Sequence, residues 1–109
     1  MSPILKLLAF YYLCDQAAAT QVLSSGDVAT CMANYNQIKL EFIDEVPAPL
    51  GTPARAAQNR LGYAGFKAWE AANPDLVEEL RAKAQLDLAL LPKTGTIPIA
   101  DLTGPLTHN

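Results

Sequence analysis

Prolines fix where helices can begin and end in this chain more firmly than any other feature. Eight prolines occur in 109 residues, and a proline inside a helix removes a backbone hydrogen bond and clashes with the preceding turn. Ser2-Pro3, Thr52-Pro53 and Asn73-Pro74 each join a capping residue to a proline suited to the first helical position. These pairs predict three helix starts. Pro92 predicts the end of the last helix.

The apolar residues between these signals recur with the period of an α-helix. They predict helices at about 3–22, 25–45, 53–72 and 74–91, with a break at "LSSGD" and a loop at "DEVPAPLGTP". The break contains Ser24 and Asp27, which resemble a capping box at the start of the second helix. We therefore predict an all-α fold, a compact bundle of about four helices in two helical hairpins. It forms one domain, residues 1–91, followed by an extended tail at 92–109 that contains proline and glycine.

The third predicted helix has an apolar stripe made mostly of small residues. Its members are Ala57, Leu61, Gly65 (or Ala64), Ala68 and Ala72, flanked by Phe66 and Trp69. Glycine inside a helix costs about 1 kcal/mol relative to alanine. We infer that Gly62 and Gly65 are glycines because the backbone of another helix approaches them closely.

Charge argues against nucleic acid as a partner. Only 17% of the residues are charged, and the formal net charge is −3. Nucleic-acid-binding domains usually carry a clustered basic face that contacts phosphates. We expect no nucleic acid partner.

The segment "LLAFYYLC", residues 7–14, is the most apolar part of the chain and has three interpretations. Read as a secretion signal, it follows Lys6 and precedes "AAA" at 17–19, although Asp15 and Gln16 interrupt the run. Read as a membrane span, it is too short, because crossing needs about 20 apolar residues. Read as a buried first helix, it meets other helices on several sides or meets a partner. We favour the buried helix, which predicts no membrane span and favours the cytoplasm while leaving export open.

Cys14 and Cys31 are the two cysteines, and their spacing matches no zinc motif. If the first turn is centred on Ser24, the two positions are offset along the helices by roughly 6 Å, which disfavours a disulfide. If the first helix ends near Ala19, the two cysteines can face each other. The alternatives are therefore a disulfide and two buried thiols that act as small apolar groups.

No catalytic arrangement can be assembled from the sequence. The single histidine, His108, lies next to the end of the chain. The adjacent carboxylates Asp44-Glu45 and Glu78-Glu79 would point about 100° apart on a helix and would not converge on a substrate. We expect no enzymatic activity, no cofactor and no metal site.

These observations predict a non-catalytic helical module for protein–protein interaction or assembly, with a protein partner or a second copy of the chain. The candidate interface residues are apolar positions of the first helix and of the tail: Leu5, Leu8, Tyr12, Ile97, Ile99 and Leu102. The alternative is an exported or periplasmic small binding protein that is stabilised by one disulfide. An enzyme with an unrecognised site is a further alternative and would require a pocket with converging polar groups.

Overall fold

The computed structural model describes residues 3–90, and within them it is an all-α bundle of four helices. The helices are α1 (Pro3–Thr20), α2 (Ser25–Glu41), α3 (Pro53–Ala72) and α4 (Pro74–Ala89). The predicted all-α class and the bundle of four helices are confirmed. The predicted tail at 92–109 lies outside the described residues.

Hydroxyl caps begin α2 and α3. The Ser24 Oγ accepts a hydrogen bond from the Asp27 N–H at 3.0 Å, and the Thr52 Oγ1 accepts one from the Arg55 N–H at 3.1 Å. Each bond satisfies one of the backbone donors that the first turn of a helix leaves free.

Asn73 does not cap α4, although its position before Pro74 predicts that role. Its side-chain amide instead donates to the Trp69 carbonyl at 2.8 Å, and it makes no cap bond to α4. The last carbonyls of a helix lack partners within the helix, so α3 offers Asn73 an acceptor.

Three helices end earlier than predicted, and one of them is α4, which ends at Ala89. The other two are α1 and α2. The first ends at Thr20, whose hydroxyl donates to the Gln16 carbonyl at 3.0 Å. The second ends at Glu41, after which the Phe42 N–H bonds to the Lys39 carbonyl at 3.2 Å in a tighter turn. Apolar residues continue beyond both ends, and for this reason the periodicity alone places the ends too late.

The first helix lies at the centre of the bundle. It packs against both α2 and α4, while α3 packs mainly against α2 and makes few contacts with α4. The Arg81 guanidinium lies 5.5 Å from the centre of the Tyr12 ring, and the Gln85 Nε2 donates to the Gln16 Oε1 at 3.1 Å. From the first pair to the second, the residue number rises by four in both helices, so α1 and α4 run parallel.

This position explains why α1 is apolar on nearly every side. Of the ten buried apolar residues in the part of the chain that the structure describes, six belong to α1: Leu8, Phe10, Tyr12, Leu13, Cys14 and Ala17. The others, Ile38, Phe66, Val77 and Ala84, come from the three surrounding helices. Within residues 3–90, no helix combines the length and the apolar character needed to cross a bilayer.

The buried face of α3 is shifted by one residue from the predicted stripe. Gln58, Gly62 and Phe66 are buried, whereas Leu61 is 61% exposed. The predicted close approach does occur, because Gly62 lies against the backbone of Lys39 in α2.

Candidate functional site

A disulfide joins Cys14 of α1 to Cys31 of α2. The two Cα atoms are 5.9 Å apart, within the usual range for a disulfide. This arrangement follows from the end of α1 at Thr20, which centres the connection to α2 near residue 22. The earlier of the two possible helix ends is therefore the one that brings the cysteines face to face.

An open groove of about 240 Å³ lies beside the disulfide, between α1 and α2. The side chains of Val28 and Met32 line it and are about half exposed, and the rings of Tyr11 and Tyr35 line it as well. Asp15 supplies the one carboxylate among its lining residues. This lining offers apolar contact but no pair of groups suited to acid–base chemistry.

A hydrogen-bonded cluster links α1 to α3. The Tyr12 hydroxyl donates to the Glu70 Oε2 at 2.6 Å, and the Lys67 ammonium lies 2.6 Å from the Glu70 Oε1. Burial raises the pKa of Tyr12, and the hydrogen bond to Glu70 raises it further. Partial burial would raise the pKa of Glu70, but the hydrogen bonds from Lys67 and Tyr12 outweigh it and hold this pKa below its usual value.

This cluster is structural at neutral pH, because Tyr12 remains a protonated donor and Glu70 remains an ionised acceptor. Among the residues described, 3–90, no three His, Cys, Asp or Glu side chains are grouped so that they could hold a metal ion.

The predicted interface residues of α1 belong to the core of the chain itself. Leu8 and Tyr12 are 0% and 1% exposed, and Leu5 is half-buried against the same core. Leu8 and Tyr12 therefore offer no surface to a partner. The reason is the central position of α1, whose apolar faces are covered by α2 and α4. The other predicted interface residues, Ile97, Ile99 and Leu102, lie outside the described residues.

The loop between α2 and α3 instead presents apolar side chains to solvent. Val46 is 87% exposed and Leu50 is 81% exposed. Pro47 and Pro49 are exposed as well, and Ala48 is half-buried. We call residues 46–50 the braced loop, because side chains of α3 hold its backbone.

Two residues of α3 form the brace. Gln58 is 7% exposed and uses both ends of its amide, with Nε2 donating to the Val46 carbonyl at 3.1 Å and Oε1 accepting from the Ala48 N–H at 2.8 Å. The Arg55 Nη1 donates to the Ala48 carbonyl at 2.9 Å. The backbone of the loop is thus bonded from the inside while its apolar side chains face outwards.

The turn into α3 completes this arrangement. The Thr52 hydroxyl donates to the Pro49 carbonyl at 2.7 Å. Gly51 has a φ of 81°, a conformation that glycine adopts without steric cost. The chain therefore leaves the braced loop through a defined turn and enters α3 at Pro53.

The sequence identified this segment as a loop but did not reveal the side chains that hold its backbone. The available signal was the alternation of prolines, because each proline also restricts the residue before it to extended conformations. Gln58 gave no signal, since a glutamine in a helix is usually exposed.

Comparisons with known proteins assign no relative. No family model matches the chain, and no curated protein and no solved structure matches it significantly.

Proposed function

We propose that this chain is a small non-catalytic protein-interaction module and that the braced loop is its binding element. The observation that carries the proposal is the pair of exposed side chains, Val46 and Leu50, on a backbone fixed by Gln58 and Arg55. A fixed loop loses little conformational entropy when it binds, so its apolar contacts contribute more fully to affinity.

The disulfide supports a second proposal, that the module works in an oxidising compartment as an exported protein. Stable disulfides form outside the cytosol in most organisms. Cys14 also belongs to the central helix of the bundle, so cleavage near residues 17–19 would remove both the bridge and most of the core. The exported form that we propose therefore retains α1.

Site-specific photo-crosslinking tests the interaction. The photoreactive residue p-benzoylphenylalanine replaces Leu50 in the full chain, in the cells that naturally express it. The matched control carries the same residue at Leu86, an exposed leucine of α4. We expect a discrete crosslinked protein from position 50 and none from position 86. No product from position 50, or the same products from both positions, would contradict the proposal.

Intact mass measurement tests the compartment. We expect the protein isolated from its natural source to take up no alkylating reagent at Cys14 and Cys31 until it is reduced. Alkylation of both cysteines without reduction would contradict the exported alternative, and it would leave the interaction proposal standing.

A further inference from the structure

Two prolines restrict the backbone of the braced loop. Pro47 and Pro49 fix their own φ near −65°, and they restrict Val46 and Ala48 to extended conformations. Residues 46–49 form neither helix nor strand, and no described peptide bond is cis. Val46 and Ala48 are thus kept out of the α-helical region, and the φ of both prolines matches that of the polyproline II helix.

The exposure of the side chains follows the three-fold repeat of that helix. With three residues per turn, Val46 and Pro49 share one edge, Pro47 and Leu50 share a second, and Ala48 lies on the third. The third edge faces α3, where Ala48 is half-buried and its N–H and carbonyl are both hydrogen-bonded. The other two edges face solvent, and each carries one proline and one branched apolar side chain.

Negative charge adjoins these two edges. Asp44 and Glu45 directly precede the braced loop, and both are exposed. Arg55, the cation nearest to the braced loop along the chain, is half-buried and bonded to the Ala48 carbonyl. Lys39, the cation nearest to the two carboxylates, places its ammonium over the Tyr35 ring. A partner that covers the loop would therefore meet two apolar ridges beside two carboxylates.

We propose that the braced loop binds a protein surface with an aromatic-lined groove flanked by lysine or arginine. This proposal rests on the interaction function proposed above. Aromatic-lined grooves receive polyproline II ligands because the ridges of such a helix fit between flat rings, and a preformed ligand loses little entropy on binding. Cations at the rim of the groove complement Asp44 and Glu45.

The test compares proline variants in the full chain carrying p-benzoylphenylalanine at position 50. We expect the double variant Pro47→Ala/Pro49→Ala to lower the yield of the crosslinked protein by about tenfold, as loss of about 1.4 kcal/mol of binding free energy would. Pro53→Ala is the matched control, because Pro53 is exposed but begins α3 outside both edges. It should leave the yield unchanged.

Amide hydrogen exchange at Ala48 shows whether the brace survives in the double variant. If the Ala48 N–H loses its protection there, the variant Val46→Ser becomes the test of the groove. It removes an apolar group from the first edge and keeps both prolines and the hydrogen-bonded backbone. We expect Val46→Ser to reduce the yield, and an unchanged yield would overturn the proposal.

A charge variant tests the rim of the groove. Asp44→Asn/Glu45→Gln should lower the yield and make it less sensitive to salt. Glu78→Gln/Glu79→Gln, a pair of exposed adjacent carboxylates on α4, is the matched control and should change neither property. If both double substitutions changed the yield and its salt dependence equally, the proposal of a cationic rim would be overturned.

The outcomes separate the two proposals. Without any product from position 50, the interaction function fails and the groove fails with it. A product whose yield is the same with and without the two prolines leaves the interaction function standing and overturns the aromatic groove. A product that contains a second copy of this chain overturns the groove in favour of self-association.

Discussion

Replacing Gly62 with alanine should force α2 and α3 apart. A Cβ atom at this position would lie 2.7 Å from the carbonyl carbon of Lys39 and 3.0 Å from its Cα, with the carbonyl oxygen closer still. Carbon atoms in favourable contact are about 3.5–4.0 Å apart. The obstructing atoms belong to the backbone of another helix, so no side chain can move aside to make room.

The expected cost follows from two opposing effects. Overfilling a packed interface costs about 1–3 kcal/mol, and a clash between two backbones belongs at the upper end of that range. Alanine in place of glycine in a helix interior returns about 1 kcal/mol. We therefore expect Gly62→Ala to lower the free energy of unfolding by about 2 kcal/mol.

Urea denaturation followed by far-UV circular dichroism measures this change. The matched control is Gly26→Ala in the first turn of α2, where a Cβ would meet only the Ser24 Oγ at 3.9 Å. This control should raise the free energy of unfolding by up to about 1 kcal/mol. The two substitutions should therefore change the free energy of unfolding in opposite directions. If Gly62→Ala were as stable as the parent protein, the close approach of α2 and α3 would be refuted.

Three further perturbations test other parts of the structure. Replacing Cys14 and Cys31 with alanine frees a loop that spans 17 residues and should lower the free energy of unfolding by about 3 kcal/mol. Equal urea midpoints for the parent and the variant would contradict this. Because the pKa of Glu70 is lowered in the folded chain, its contribution is complete above its unfolded-state pKa and is lost as the pH falls through its folded-state pKa. Glu70→Gln should therefore flatten the acidic limb of stability against pH. Gln58→Ala should accelerate hydrogen exchange at the Ala48 amide while the central amides of α3 remain protected, and unchanged exchange at Ala48 would show that the brace does not hold the loop.

The helix starts were predictable because their causes are local. A capping residue followed by proline restricts the backbone within a few bonds, and α3 and α4 begin at the prolines that these pairs supply. The buried face of α3 was not predictable in the same way. Alanine and glycine give a weak periodic signal, and the face is decided by the approach of α2 to Gly62 and by the bonds from Gln58 to the loop.

The apolar excess of α1 was correctly seen in the sequence, but its explanation required the tertiary structure. Leu8 and Tyr12 were predicted to contact an external partner because a single hairpin cannot cover all the apolar faces of α1. The chain covers them itself by placing α4 against α1 instead of against α3. Pairing between helices that are distant in sequence leaves no local signal, since neighbouring elements usually pack together.

Among residues 3–90, one buried polar atom of the brace lacks a hydrogen-bond partner, and this cost supports the function that we propose for the loop. Gln58 places an amide in a buried position of α3 that an apolar side chain could fill, and Arg55 leaves a buried Nε–H without a partner among residues 3–90. A simple connection would need neither residue, because the backbone groups of an exposed loop can bond to water. In return, the brace gives a fixed shape to a loop whose apolar side chains remain in solvent. Residues that are not the most stabilising for a fold occur mainly where a functional site requires them. Here the two such residues, Gln58 and Arg55, both bond to the backbone of residues 46–50.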